Sequence, residues 1–363
     1  MIKLSDGKSG TREFGSIVLL TIGLKITDTT PTFLFRAGGN AAWMVPLLSG
    51  LIFAAAFFVL LSVLHNNPGK GVIDLIFELT GKYAGFVISF LLFVIILMVT
   101  AVNGRSYVDI VNVMVYQRTP LPVLFLLLMA SACYVASRGL ETIGRVAWIV
   151  LPYVYALFFL LIFIVWRTAD WQHLAPVAGP GMYKLVKESV FHTSLFGEMF
   201  FLAALIPYVR TAKNFRMASV AGYGLSVLNM VLATALYIAV FDYPTVVDLA
   251  YPFQQLTRTV QIGQAFIHVE SVFLFFWLIS AVVHFAVYLH VIAFFFARTM
   301  RIEQFKPLIM PLTGLVVLMG MLPENISKVD IYRGMLIQGI SLMYIIFPFV
   351  LWALDKWKRR RIA

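Results

Sequence analysis

Two stretches decide the fold: residues 14–34, FGSIVLLTIGLKITDTTPTFL, and residues 189–209, SVFHTSLFGEMFFLAALIPYV. Each is apolar over the roughly 20 residues that a helix needs to cross a bilayer. Each also carries charge near its middle: Lys25 and Asp28 in the first, Glu198 in the second. The first contains Gly23 and, near its end, Pro31; the second contains Gly197 and Pro207. Glycine relaxes a helix and proline removes a backbone donor, so both spans are expected to be broken. Unwound backbone persists in a membrane only where it lines a cavity or packs on protein. Half-helix ends there offer free N–H groups to a carboxylate and free C=O groups to an ammonium, a pairing that suits a small zwitterion such as an amino acid. The plainer alternative is that Gly and Pro are common in ordinary transmembrane helices.

The rest of the chain places these stretches in a polytopic membrane protein. Of 363 residues, 61% are apolar and only 12% charged, about half the charge of a soluble domain. The net charge of +11 could suggest nucleic acid in a soluble protein, but the cytoplasmic loops of membrane proteins collect Lys and Arg, and no nucleic-acid partner is expected. The single cysteine, Cys133, lies in an apolar run, so there is no disulfide framework. No cleavable signal is expected, because the apolar run after residue 13 continues into a full span. Apolar segments predict ten transmembrane helices, at 14–34, 41–64, 83–104, 119–137, 146–166, 189–209, 217–241, 271–297, 307–323 and 334–354. With an even number of spans both termini share one side. That side collects 18 Lys and Arg and the other nine, with Arg105 and Arg333 counted among the nine, so both termini are expected in the cytoplasm. Residues 66–82 read as a short amphipathic cytoplasmic helix with Val72, Ile73, Leu75, Ile76 and Leu79 apolar. Residues 242–268, with Pro244 and Pro252, read as broken external helices packed over the bundle.

Ten spans divide into two halves of five, and an odd number per half forces opposite orientations in the membrane. The expectation is an all-α integral membrane fold with a 5+5 inverted repeat, about 14–166 and 189–354, in one transmembrane domain. Span 1 and span 6 are then equivalent, and they are the two with carboxylates near mid-membrane. A mid-bilayer charge costs roughly 2.5–3.5 kcal/mol on insertion scales and must be paired or wet. Two pairings are open. Lys25 and Asp28 are three apart and could neutralise each other on one helix. Alternatively Lys25 reaches Glu198 across the breaks and Asp28 stays in water. Span 3 is expected to turn Ile95, Val99 and Asn103 toward the cavity or, failing that, toward lipid.

Other polar residues carry weaker signals. His284 and His290 are six apart, which turns them by about 600° onto different faces and excludes a metal pair. His284 either lines the cavity or is a packed, hydrogen-bonded histidine. Ser271 and Ser280 can bond carbonyls of their own helix. Glu270 suits a solvated helix N-terminus. Trp43, Trp148, Trp166, Trp171 and Trp352 read as interfacial belt residues. The cluster Lys356–Arg361 reads as a topology anchor that attracts anionic membrane lipid. There is no His-Glu-x-x-His, phosphate-cradling Gly-rich loop or Cys cluster, so neither an enzyme nor a resident cofactor is expected.

Several landmarks follow one another in a recognisable order: Arg118-Thr119-Pro120 before span 4; Leu174, Pro176, Gly179 and Gly181 between spans 5 and 6; Phe196-Gly197-Glu198 with Pro207 in span 6; then Tyr251-Pro252, Glu270-Ser271 and Trp277. In these the chain resembles the B subunit of the spore germinant receptors, the endospore germination permeases of the amino acid–polyamine–organocation (APC) superfamily, over essentially its whole length. The resemblance implies a leucine-transporter-type fold and an inner-membrane location in spores. It also implies a complex with an A subunit and a lipoprotein C subunit, and sensing of a small nutrient, typically an amino acid, between spans 1, 3, 6 and 8. The implied ligand site gathers Thr21, Gly23, Lys25, Thr27 and Asp28 from span 1 and Asn103 from span 3. Phe196, Gly197 and Glu198 come from span 6, and Ser280 and His284 from span 8. One departure matters: the superfamily places small, Gly-rich residues in span 1, whereas here Gly23 is followed by Leu24 and Lys25. An ammonium there takes the place of a coordinated sodium ion or meets a ligand carboxylate. Three functions share this fold: a nutrient sensor, a secondary amino acid transporter coupled to protons through Glu198 or Asp28, and an assembly subunit with a vestigial pocket.

Overall fold

The computed structural model describes residues 7–259 and 269–362, the side chains of 269, 270 and 362 excepted. The Glu270 reading and residues 260–268 of the external segment therefore lie outside the described residues. The helices are α1 (Thr11–Ile22), α2 (Thr30–Gly38), α3 (Met44–Asn66), α4 (Val72–Met114), α5 (Leu121–Ser137), α6 (Leu140–Val165), α7 (Met182–Phe191), α8 (Glu198–Leu202), α9 (Ala212–Phe241), α10 (Pro252–Thr259), α11 (Val269–Met300), α12 (Ile309–Gly320) and α13 (Ile326–Ile362). Among the described residues the only β pairing is an isolated parallel bridge between Ser9 and Val209.

Among the described residues six helices are long and apolar enough to cross a membrane, and two bent pairs raise the number to eight. The bent pairs are the two stretches quoted at the outset: Thr11–Thr27 with Thr30–Ala41, at 62°, and Met182–Phe191 with Thr193–Tyr208, at 46°. The apolar helices Leu121–Ser137 and Lys306–Gly320 are shorter.

The first break follows from local chemistry. Beyond Ile22 the chain tightens into a 3₁₀ turn, Gly23–Thr27, and Asp28 is extended. The Thr27 hydroxyl takes the Leu24 carbonyl at 2.6 Å, and Asp28 Oδ1 accepts the Thr30 N–H at 2.6 Å, which opens α2 with Pro31 in its first turn. At the second break Thr193 Oγ1 bonds the Val190 carbonyl at 2.9 Å and Ser194 Oγ the Ile337 carbonyl of α13 at 2.7 Å. The first satisfies a carbonyl at the C-terminal end of α7, and the second ties the break to α13. Gly197 is required by close approach: a Cβ there would lie 2.2 Å from the Tyr344 ring.

Helix α1 packs against α6, α9 and α11, and α13 against α3 and α4, so the two bends sit inside the bundle. Helix α4 breaks at Gly81 (φ 83°), a conformation that favours glycine. The segment before the break matches the expected amphipathic helix, with Val72, Ile73, Leu75 and Ile76 buried. As far as it is described, the external segment covers the bundle: Val246 is buried, and Gln254 on α10 donates to the Thr27 carbonyl at 3.1 Å.

Two charges counted as external are in fact interior. The third span runs beyond residue 104 to Met114, and its Arg105 is buried. Arg105 pairs with Asp109 at 3.0 Å and donates to the carbonyls of Gly320 and Pro323 at 3.4 and 3.0 Å. Arg333 lies inside α13, which starts at Ile326 rather than after Arg333, and is 3% exposed.

Candidate functional site

The two bends meet through an ion pair. Lys25 Nζ lies 2.6 Å from Glu198 Oε1 and 2.6 Å from Oε2, and donates to the Leu195 carbonyl at 2.6 Å. Tyr288 of α11 donates its hydroxyl to Glu198 Oε1 at 2.6 Å. Of the two pairings open at the outset, the molecule adopts the one across the breaks. Pairing at i,i+3 needs a helix, and the helix is lost between Lys25 and Asp28.

Asp28 is not in water. It is 1% exposed, and its Oδ2 accepts from Arg333 Nη2 at 2.7 Å. Arg333 also donates to Thr30 Oγ1 at 2.8 Å, to Ser106 Oγ at 3.1 Å and to Thr29 Oγ1. One guanidinium thus joins the start of α2, helix α4 and helix α13. Lys25 and Arg333 formally balance Glu198 and Asp28, which is what buried charge in a membrane requires.

Between these pairs lies a cavity lined by Lys25, Thr30, Asn103, Glu198, Tyr288 and Arg333, among others. About 40 Å³ of it is open to the centre of a water molecule. At about 10–15 Å³ per water this holds roughly three waters, so a larger guest needs the cavity to widen. Val99 lines the cavity, whereas Ile95 is half-buried against the apolar core.

The other expected site residues go elsewhere. Gly23 and Thr27 line a second cavity on the opposite side of the unwound stretch. Thr21 bonds the Ile17 carbonyl at 2.6 Å and Ser280 the Phe276 carbonyl at 2.7 Å, each one turn back in its own helix. Phe196 packs edge-on against Tyr223 at 5.4 Å, away from the charged cavity. Gly197 serves as the floor on which Tyr344 lies. His284 Nδ1 lies 3.1 Å from the Leu20 carbonyl, and the ring packs on Tyr288 at 4.8 Å, so it backs the Glu198 partner without lining the cavity. His290 faces the Ala136 carbonyl and Phe305 instead. Among the described residues no group of three or more His, Cys, Asp or Glu could hold a metal ion.

An apolar multi-helix bundle with two interior breaks joined by an ion pair matches the landmarks read from the sequence, and comparison with known proteins decides the matter. The Spore_permease family model, described as spore germination protein, matches residues 13–329. The chain belongs to this family. It is 23% identical over 343 residues to spore germination protein B2 of Bacillus subtilis, covering 92% of this chain and 91% of the relative. It is 21% identical over 358 residues to spore germination protein KB of Bacillus subtilis, covering 96% and 92%. It is 24% identical over 361 residues to spore germination protein GerLB of Bacillus cereus, covering 98% and 96%.

In this spore germination permease, sequence reasoning missed Arg333, Tyr288, Ser106 and Tyr344. Arg333 left a signal: in ISKVDIYRGMLIQGISL, residues 326–342, apolar residues continue on both sides of it. Tyr288 stands four residues after His284, one turn along the same helix face.

Proposed function

We propose that this permease is the membrane-embedded subunit of a germinant receptor and binds a small zwitterionic nutrient, an amino acid, between its two bends, helping to trigger germination. On this reading the six long helices, two bent pairs and two short apolar helices form ten spans in a 5+5 inverted repeat of leucine-transporter type, within the APC superfamily. Both termini face the cytoplasm of the spore's inner membrane, and an A subunit and a lipoprotein C subunit are the partners. Similarity to relatives that are themselves named spore germination proteins supports the setting.

The observation that carries the site is the Lys25–Glu198 pair, which ties one bend to the other. A ligand carboxylate can replace Glu198 on Lys25 while the ligand ammonium replaces Lys25 on Glu198. The exchange conserves buried charge and inserts the ligand between the bends, so the liganded arrangement differs from the free one. A ligand shifts such a balance only by binding one arrangement better. Because Lys25 supplies the positive charge, the response is expected to be the same in sodium and in potassium buffers.

The test is reconstitution in proteoliposomes with a panel of labelled common amino acids. Saturable binding without accumulation, with hydrogen-exchange protection of residues 23–28 and 193–198, is expected. Absence of protection by every amino acid would contradict the reading. One observation favours a second reading, a proton-coupled amino acid transporter: Glu198 is a buried carboxylate bonded to a tyrosine hydroxyl. Accumulation driven by a pH gradient would select that reading.

A further inference from the structure

The unwound stretch Gly23–Thr27 separates two cavities of opposite character. Lys25 faces the charged one. Behind it, Gly23, Leu24, Ile26 and Thr27 line a second cavity, with about 50 Å³ open to the centre of a water molecule, closed by residues of α6, α9, α10 and α11. No charged residue lines it, and its walls are largely aromatic: Phe158, Phe253, Phe273, Phe276 and Trp277. Apolar cavities stay dry; this one is about a third of the ~150 Å³ that holds benzene, so a ring enters only as the walls on its exposed side part.

One end is polar. Asn229 donates to the Tyr155 hydroxyl there, and a Cβ on Gly23 would lie 3.5 Å from Asn229 Nδ2 and 3.7 Å from Ser226 Oγ. Ser226 Oγ is fully buried and has no hydrogen-bond partner among the described residues. Ser226 lies just behind the wall, whereas Asn229 and Tyr155 line the cavity and offer their polar atoms to a guest. The cavity is continuous with the outer apolar surface. Tyr153 stacks on Phe276 and Phe159 contacts Tyr155, and both Tyr153 and Phe159 are exposed.

We propose that this cavity is a second binding site, for a small uncharged amphiphile with an aromatic ring and one hydroxyl-like group, distinct from the zwitterion site. The ring occupies the aromatic walls and the polar group meets Asn229 and the Tyr155 hydroxyl, which line the cavity. A lipid chain end fits less well, because it brings nothing to the polar end. Trp277 donates to Thr27 Oγ1 at 2.8 Å, so the occupant bears on the same unwound stretch that carries Lys25.

The test is photolabelling of the full chain in lipid nanodiscs, read by peptide mass spectrometry. The probe is a benzyl alcohol bearing a trifluoromethyl diazirine; the same ring without the hydroxyl and a diazirine-tailed phosphatidylglycerol serve as comparisons. The alcohol is expected to label residues 154–158 and 273–277 about fivefold more efficiently than the hydroxyl-free ring, the worth of about one hydrogen bond. Tyr155→Phe is expected to remove that advantage. Leu157→Trp and, independently, Val154→Trp fill the cavity from its partly exposed side and are expected to abolish labelling there. Labelling is read with no amino acid present, so failure of the zwitterion site would not be mistaken for failure of this one. Equal labelling by both rings, labelling insensitive to the filling variants, or phosphatidylglycerol labelling that excess benzyl alcohol does not displace would overturn the proposal.

Discussion

Lys25 and Glu198 are each other's counter-charge, and neither has a second one within bonding distance among the described residues. Removing one partner leaves a buried charge, which costs about 3–5 kcal/mol, whereas replacing both by apolar groups is often neutral. Thermal unfolding in detergent should therefore show Glu198→Leu strongly destabilised and Lys25→Met/Glu198→Leu largely recovered; losses that simply add would contradict the pairing. Gly197→Ala drives a methyl into the Tyr344 ring and should cost about 1–3 kcal/mol. Gly224→Ala, in an exposed helical position with nothing within 4 Å, should instead stabilise by about 0.5–1 kcal/mol. At this scale the sequence announced the interior lysine and glutamate because charge inside an apolar run is conspicuous. It hid Arg333 and Arg105 because hydropathy windows stop at charges. A buried arginine held by Asp28 or Asp109 looks like the end of a span when the partner lies on another helix or in a turn beyond the window.

The breaks in spans 1 and 6 were legible as elements, since each combines Gly, Pro and an interior charge within one apolar run. The role of α13 was not, since its contacts with α2 and α4 are tertiary. Arg333→Met should loosen the start of α2, with faster hydrogen exchange over residues 30–38 and little change in α5; unchanged exchange would contradict the tie. The amphipathic segment before Gly81 was legible from its periodicity, and its clamp appears only in the fold. Glu78 pairs with Lys70 at 2.5 Å and with Lys358 at 3.0 Å. Lys70 above all, with Lys358, holds the Glu78 carboxyl below its ordinary value of 4.5, against the opposing effect of partial burial. A depressed carboxylate stabilises the fold fully above its unfolded pKa and loses that contribution as pH falls through the folded one. Exchange over residues 72–80 should therefore quicken below about pH 4.5, and Glu78→Gln should flatten that dependence.

Across the whole molecule, the loops that collect Lys and Arg in the sequence come together in space. Ser9 N–H donates to the Tyr208 carbonyl at 2.9 Å and Arg210 N–H to the Ser9 carbonyl at 3.0 Å. Arg298 pairs with Asp74 at 3.4 Å, and Lys358 joins the tail to Glu78. With Cys133 replaced, a single cysteine at Lys8 or at Lys358 should react with an impermeant maleimide only in inside-out vesicles; opposite reactivity of the two would break the even span count. The claim that unites these scales is that an internal ion pair stands in for a zwitterionic ligand. Its most direct measurement is thermal stabilisation of the purified chain by the common amino acids, each compared with its methyl ester and its N-acetyl derivative. The account predicts at least one amino acid that stabilises, with the effect lost when either of its charges is blocked and lost again in Glu198→Gln. A blocked derivative that stabilises as well as its parent, or a full effect retained in Glu198→Gln, would contradict it.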